Sequence, residues 1–322
     1  MRRVEVSGGW CNLAAMTSAD IYLAMLRAEE WGRDVPVWAE SAFSMMQRHE
    51  KAMLWRVTKE FPRSIDCIVD AGCWLGASTL AFCRGIKDGG HPVRDNMVVS
   101  CDLFRVDDHA KNIMLQRRGM EVQIGASLLP AFLDTIRGHE TMVSVVKGDL
   151  LDFRWGGRPI DILFLDLLKT RALNAHGSEC FFPHLRAGSI IIQQDYVFDH
   201  LPWIPLTMEM FADHFVPVGF CDSSAIFLVR SVPSQTEVQE RLAEMEALAI
   251  DRKLELFEQI AARMKHPAQR AQIELSRLWC ALHYDGSERA EQEASHFRFD
   301  PAMAWVEKKR QVLVQAVKRR AA

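Results

Sequence analysis

No CxxC pair occurs among the eight cysteines of this 322-residue chain. A disulfide framework and a zinc site both need cysteines at defined short spacings, so neither is expected, and the scattered thiols read as buried free cysteines of a cytoplasmic protein. Cys67, Cys73 and Cys101 fall in or beside apolar runs. Charge of one sign is also scarce. The net charge is −3, which implies no general polyanion-binding role, so nucleic acid is not an expected partner. No apolar run approaches about 18 residues, so no membrane span is expected. The stretch "MRRVEVSGGW" carries arginines with no apolar segment behind them, and no signal peptide is read there. Internal repeats and low-complexity segments are missing too. The remaining composition, 49% hydrophobic and 25% charged, is that of a globular protein with one large core and a smaller appendage.

Residues 14–60 read as helices. "SADIYLAMLRAEEW" opens on a Ser/Asp cap, and "SAFSMMQRHEKAMLWRVTKEF" carries apolar residues at helical spacing until Pro62 closes it. Strands and helices then alternate. "SIDCIVDAG", "NMVVSCDLF", "TMVSVVKGDL", "DILFLDLL" and "GSIIIQQDYV" are strands. "STLAFCRGI", "SLLPAFLDTIRG", "ECFFPHL" and "WIPLTMEMFADHF" are helical, and "VPVGFCD" with "SAIFLVR" closes as a hairpin. Continuous apolar strands alternating with helices predict an α/β fold: a doubly wound, mostly parallel sheet with a terminal antiparallel hairpin. After Pro233 the composition becomes helical. "TEVQERLAEMEALAIDRKLELFEQIAARM" predicts one long amphipathic helix whose stripe slips by one residue between Ala249 and Ile250. Two further helices follow, ending in the basic "EKKRQVLVQAVKRR". That basic end reads as a packed appendage or a homodimer face. The organisation expected is an N-terminal helical segment over 1–60, serving as lid or dimer face, a Rossmann-like domain over 61–232 and a helical appendage over 233–322.

The stretch "CIVDAGCWLGASTLAF" is a strand, a tight turn and a helix start. In a doubly wound sheet, ligands bind outside the carboxyl ends of the strands where the strand order reverses, and the first such turn is the usual place. Gly72 and Gly76 permit close backbone approach, and Ser78 and Thr79 are placed to satisfy free amides of the helix. The glycine spacing is G-x-x-x-G, with Trp74 where the middle glycine of G-x-G-x-x-G would fall, and no G-x-x-x-x-G-K-[ST] occurs. A nicotinamide-type oxidoreductase is therefore disfavoured. Asp102 ends the second strand, where an acid accepts hydrogen bonds from ribose hydroxyls, and Asp149 ends the third, on the adenine side. The set suits a nucleoside with no phosphate to grip, and S-adenosylmethionine (SAM) fits.

From about residue 48 to 229 the chain resembles class I SAM-dependent methyltransferases. Asp70-x-Gly72-x-x-x-Gly76 is similar to their first motif, Asp102 to their ribose acid, and Gly148-Asp149 to their adenine-side motif. "GCWLGAST" resembles the turn of catechol-type, metal-dependent O-methyltransferases, which carry an aromatic residue at the Trp74 place. "FLDLLKTRAL" is similar to their F-L-D-x-x-K-x-x-Y-L segment. The resemblance implies a donor site on Asp70, Gly72, Trp74, Gly76, Ser78, Asp102, Leu103, Asp149, Leu150 and Asp166. It also implies a Mg²⁺ site on Asp166, Gln194 and Asp195, and Lys169 as catalytic residue. "GSIIIQQDYV" departs from the family's G-x-x-x-x-D-N-V, offering Gln194 and Asp195 where the family has Asp and Asn. Macrocin-type sugar O-methyltransferases also place acids at this edge, so the acceptor implied is a small hydroxylated molecule of sugar-like, phenolic or natural-product type.

Methyl transfer needs the acceptor oxygen aligned with the donor methyl and made nucleophilic. Divalent magnesium on oxygen ligands can do this. Lys169 serves instead if nearby charge lowers its pKa, and His176, in the loop after the fourth strand, or His200, after the fifth, are further candidate bases. Two other readings stay open: a catalytically degenerate SAM-binding module that acts through its helical tail, and a metal-independent N-methyltransferase.

Overall fold

The computed structural model describes residues 3–6, 9–12 and 16–321. It begins with an antiparallel pair, β1 (Arg3–Val6) and β2 (Gly9–Asn12). Helix α1 (Ser18–Ala28) starts on a reciprocal capping box in which Thr17 Oγ1 accepts from Asp20 N and Asp20 accepts from Thr17 N. Short α2 (Val37–Ser41) and α3 (Arg48–Lys59) follow. The region beyond is β3 (Ile68–Ala71), α4 (Ala77–Asp88), β4 (Val98–Asp102), α5 (His109–Gln116), α6 (Leu129–Thr135), β5 (Val143–Lys147), β6 (Ile160–Leu165), α7 (Arg171–Phe181), β7 (Leu185–Gln193), α8 (Trp203–Met210), β8 (Phe215–Cys221) and β9 (Ser224–Val229). The appendage holds α9 (Gln235–Ala247), α10 (Ile250–Arg263), α11 (Pro267–Tyr284), α12 (Ser287–His296) and α13 (Ala304–Ala321).

The seven strands of the main sheet run in the order β5-β4-β3-β6-β7-β9-β8. The first five are parallel, while β9 pairs antiparallel with both β7 and β8. Strand order reverses between β3 and β6, so the crevice for a ligand opens at their carboxyl ends. Alternate residues face opposite layers. Ile68, Ile162, Phe164, Ile190 and Ile192 pack beneath α3 and α4 with Phe82 and Val57. Val69, Ala71, Leu163, Leu165, Ile191 and Phe227 pack on the other side with Phe181, Trp203 and Leu206. Cys67, Cys73, Cys83, Cys101, Cys180, Cys221 and Cys280 are all buried and unpaired. No described helix is long and apolar enough to cross a membrane.

The flanking segments share these cores. Tyr22, Leu26, Trp31, Met53 and Leu54 belong to the layer under α4, and the Trp31 indole donates to the Phe220 carbonyl at 2.7 Å. Val238, Leu254, Phe257, Trp279, Val306 and Leu313 continue the layer that covers Ile191 and Phe227. The predicted single helix after Pro233 is two helices. The chain breaks at Leu248 and Ala249, and that break is the physical origin of the one-residue slip in the apolar stripe. Three helices follow rather than two, and α5 has no counterpart in the sequence reading.

Because the appendage helices complete an apolar layer on the sheet, a chain ended at Arg230 should bare Ile191, Trp203, Phe227 and their neighbours. We expect such a truncation to lose soluble, cooperatively melting protein, as read by yield and near-UV circular dichroism. A truncated chain that melts cooperatively would show instead that the tail is dispensable to the core.

Candidate active site

The turn after β3 takes the left-handed backbone at three residues, Gly72 (φ 95°), Trp74 (φ 43°) and Gly76 (φ 88°). A Cβ on Gly72 would stand 2.5 Å from the Asp166 carbonyl oxygen. The glycine is thus required by packing against the exit of β6 as well as by its φ, and Gly72→Val would perturb the turn itself. Trp74 N donates to Asp102 Oδ2 at 2.9 Å. The Trp74 indole turns away, packing at 5.5 Å on Phe43 in a small cluster with Leu75, Val106 and Leu128. It is not among the residues lining the cavity described below. Ser78 and Thr79 do not cap α4, whose cap is Gly76 without a side-chain bond. The hydroxyls of Ser78 and Thr79 instead donate to Asp70 Oδ2 at 2.9 and 2.5 Å, because both side chains point inward at Asp70. Asp70 is fully buried and its Oδ1 has no partner among the described residues. Burial, reinforced by the charges of Asp166 and Asp102 and opposed by the two hydroxyls, pushes its carboxyl up to about 7.

A cavity of 570 Å³ opens at the strand ends, lined by Gly72, Asp102, Leu103, Asp149, Leu150 and Asp166 among others. Asp102 accepts from Phe104 N at 2.7 Å through Oδ1 as well as from Trp74 N, and burial raises its pKa. Each oxygen keeps a second acceptor position, so the carboxylate can still receive two hydroxyls. Asp149 is exposed and caps the turn after β5 by accepting from Leu151 N at 3.0 Å. Lys111 and Asp107, paired at 2.7 Å, and Phe153 also line the cavity. These three went unseen in the sequence, because Lys111 rides on the unforeseen α5 and none of them ends a strand. The cavity's size and its acidic and apolar walls suit an adenosyl donor; Asp70, two residues before the lining Gly72, is not itself on the wall.

At one end of the cavity Asp166, at the exit of β6, and Asp195, just after β7, converge as expected. Both are mostly buried, with side chains 19% and 16% exposed. The Lys169 ammonium lies between them, donating to Asp166 Oδ1 at 2.7 Å and closely to Asp195 Oδ2. The two carboxylates outweigh its partial desolvation and raise its pKa, so Lys169 stays protonated at neutral pH. It therefore cannot be the neutral base anticipated from the sequence. Asp166 is pushed up to about 6, chiefly by burial, with Lys169 opposing and Asp195 adding. Gln194 turns away. Its Nε2 donates to Ser223 Oγ at 3.1 Å and its Oε1 accepts from Ser224 Oγ. The same two hydroxyls donate to Glu50 Oε1 at 3.1 and 2.9 Å. With an ammonium between the two acids and Gln194 facing elsewhere, the donor set as arranged does not fit a divalent cation. The one cluster of three His, Cys, Asp or Glu ligand groups among the described residues is Asp213, His214 and Glu237. Arg241 already bridges its two acids, which makes it a staple between the β8 approach and α9.

Neither candidate histidine lines the cavity. His176 lies within α7, not a loop, and its Nε2 lies 2.9 Å from the Phe153 carbonyl oxygen and 3.0 Å from Arg154 Nη1. His200 packs against Trp279 of α11, ring centroids 4.3 Å apart and planes tilted by 38°, and sits beside Asp199. Asp199 is also engaged by Lys309 of α13 at 2.5 Å.

Residues 69–196 match the family model of a methyltransferase domain. That span starts in β3 and ends just past Asp195, so it takes in the five parallel strands and every strand-end acid described above. Among solved structures, the chain is similar to the O-methyltransferase NovP at 13% identity, covering 66% of this chain and 99% of that one, with a TM-score of 0.45. It is similar to cofactor-bound Rv0187 from MTB at 20% identity, with 66% and 91% covered and a TM-score of 0.38. It is also similar to the O-methyltransferase TomG from Streptomyces achromogenes, solved in complex with SAM, at 16% identity, with 68% and 93% covered and a TM-score of 0.39. Comparison with curated proteins finds no significant match.

Proposed function

We propose that the chain, whose residues 69–196 match the family model of a methyltransferase domain, is a SAM-dependent enzyme that methylates a hydroxyl oxygen of a small acceptor without a metal ion. The observation that supports this most is the Lys169 ammonium held between Asp166 and Asp195 at the edge of the donor cavity. SAM, when bound, would supply an electrophilic methyl on its sulfonium and leave as S-adenosylhomocysteine. Asp102 would receive the ribose hydroxyls, Leu103 and Leu150 would flank the base, Asp149 would serve its amine side, and Asp70 Oδ1 would offer an acceptor for the donor's ammonium. Lys169 donates a hydrogen bond to the acceptor oxygen and fixes it, the part a cation plays in metal-dependent relatives. Asp166, which lines the cavity, takes the hydroxyl proton, and its raised pKa makes it a better base than an ordinary carboxylate. Asp195 keeps Lys169 charged and in place.

This reading gives a pH dependence. The base must be ionised, so turnover should fall as pH drops through about 6. The test is transfer from methyl-labelled SAM to a library of hydroxylated acceptors with and without excess EDTA. Equal turnover in EDTA is expected. A requirement for Mg²⁺ would restore the metal-assisted route, and tight SAM binding with no turnover on any acceptor would favour a degenerate binding module.

A further inference from the structure

A second cavity, of 680 Å³, lies outside the donor cavity, walled by the segment 40–49, Lys51, Arg118 and Asp222. Its position ties it to the methyl-transfer site. Phe43 of its wall packs on Trp74 of the donor turn. Asp222 of its opposite wall directly precedes Ser223 and Ser224, whose hydroxyls hold Gln194, the neighbour of Asp195. The cavity is therefore linked, through Phe43 on one side and the chain from Asp222 to Ser224 on the other, to the turn and the strand end that flank the donor site.

Its charge is unbalanced. Arg48 is paired with Glu40 at 3.2 Å. Lys51 and Arg118 have no carboxylate partner among the described residues. The Lys51 side chain is almost wholly enclosed, the residue being 4% exposed, yet among the described residues its ammonium donates only to the Ala42 carbonyl, at 2.5 Å. Arg118 is exposed and lies over the Phe43 ring, 4.8 Å from its centroid. Its charge acts on Lys51, adding to burial in lowering the lysine's pKa. Two cations that repel each other at a cavity wall, one of them a buried amine, make a favourable place for an anion. The two wall carboxylates do not supply it, since Glu40 is engaged by Arg48 and Asp222 forms no ion pair with either cation.

We propose that this cavity is the acceptor's anchoring site and that Lys51 and Arg118 bind a carboxylate or phosphate group on the acceptor. The proposal rests on the methyltransferase reading of the neighbouring site and narrows its substrate class to anionic hydroxylated molecules. An anion held there would orient the hydroxyl toward Lys169, as remote binding contacts do in catalysis generally.

The experiment uses inorganic phosphate as probe, titrated calorimetrically into the full chain saturated with S-adenosylhomocysteine. Saturable single-site binding is expected, weakened by about tenfold or more in Arg118→Gln and in Lys51→Met. Arg118 is exposed, so Arg118→Gln should fold normally even if the buried Lys51→Met does not, and S-adenosylhomocysteine affinity in Arg118→Gln reports an intact donor site. Non-saturable phosphate binding, or equal affinity in wild type and Arg118→Gln, would overturn the proposal. Failure of the wild-type chain to bind S-adenosylhomocysteine would overturn the methyltransferase reading instead. The source of the anion is settled with the acceptor library. Turnover confined to carboxylated or phosphorylated members, and competed by phosphate, places the anion on the acceptor. Turnover of neutral members alone refutes that placement.

Discussion

Lys169→Met should nearly abolish methyl transfer while leaving S-adenosylhomocysteine binding close to the wild-type level. The ammonium is half-exposed at the edge of the cavity, and its two bonds go to Asp166 and Asp195 rather than to groups that shape the adenosine pocket. Its removal costs the reaction twice. On the proposed mechanism the acceptor oxygen loses the donor that fixes it, and two neighbouring carboxylates are left to repel each other, which should raise the Asp166 pKa further. Removing a group that acts on the reacting oxygen typically lowers turnover by about 10²- to 10⁴-fold. The acid limb of the pH profile should also move to higher pH in the variant. Lys169→Arg should recover part of the activity, since it restores the charge without the compact ammonium. Wild-type turnover in Lys169→Met, whether or not Mg²⁺ is added, would remove the lysine from the mechanism.

Asp70→Asn should move stability and donor affinity in opposite directions. Burial, first, pushes the Asp70 carboxyl up to about 7 in the folded chain, against about 3.9 for an ordinary aspartate. Between those values the folded state holds a proton that the unfolded state has released, so stability falls as pH rises through that window. Once the group is ionised, the cost is on the order of 4 kcal/mol. Glu50 is also buried and pushed up to about 7, so it contributes a loss of the same sign. Asp70→Asn should therefore reduce the slope of melting temperature against pH without flattening it, and should melt several degrees above wild type near pH 8. On the proposed reading Oδ1 accepts from the donor's amine, so the variant's affinity for S-adenosylhomocysteine should fall. A variant that binds as well as wild type, or whose melting temperature keeps the full pH slope, would show that Asp70 is neither strained nor engaged by ligand.

What could be read from the chain follows from where the information sits. β3 and β6 are apolar runs ended by an acid or a glycine turn, and β4, β5 and β7 likewise run into an acid at or just beyond their ends. Parallel pairing brings Asp70, Asp102, Asp149, Asp166 and Asp195 to one edge. Alternation of strands and helices sufficed to place them. Side-chain direction was not so written. Ser78 and Thr79 look like helix caps by position, but the first turn of α4 lies over Asp70 and their hydroxyls are drawn inward. Trp74 and Gln194 are turned by partners remote in sequence, Phe43 and the Ser223-Ser224 pair. His200 is held by Trp279 and sits beside an acid bound by Lys309, both in helices whose docking no local pattern discloses. His176 was mislaid for a local reason. Thr170 caps α7 at Leu173 N, so the helix begins earlier than the apolar run "ECFFPHL" suggests.

The most direct test is a calorimetric titration of S-adenosylhomocysteine into the wild-type chain and into Asp102→Ala, with circular dichroism to confirm that the variant folds. Asp102 lines the donor cavity, and its carboxylate keeps acceptor capacity beyond the two backbone amides it already holds. One site per chain is expected in wild type, and a loss of roughly 1.5–3 kcal/mol, about ten- to a hundredfold in affinity, in Asp102→Ala. No binding to the wild-type chain, or equal affinity in a folded Asp102→Ala, would contradict the assignment of this cavity to the methyl donor.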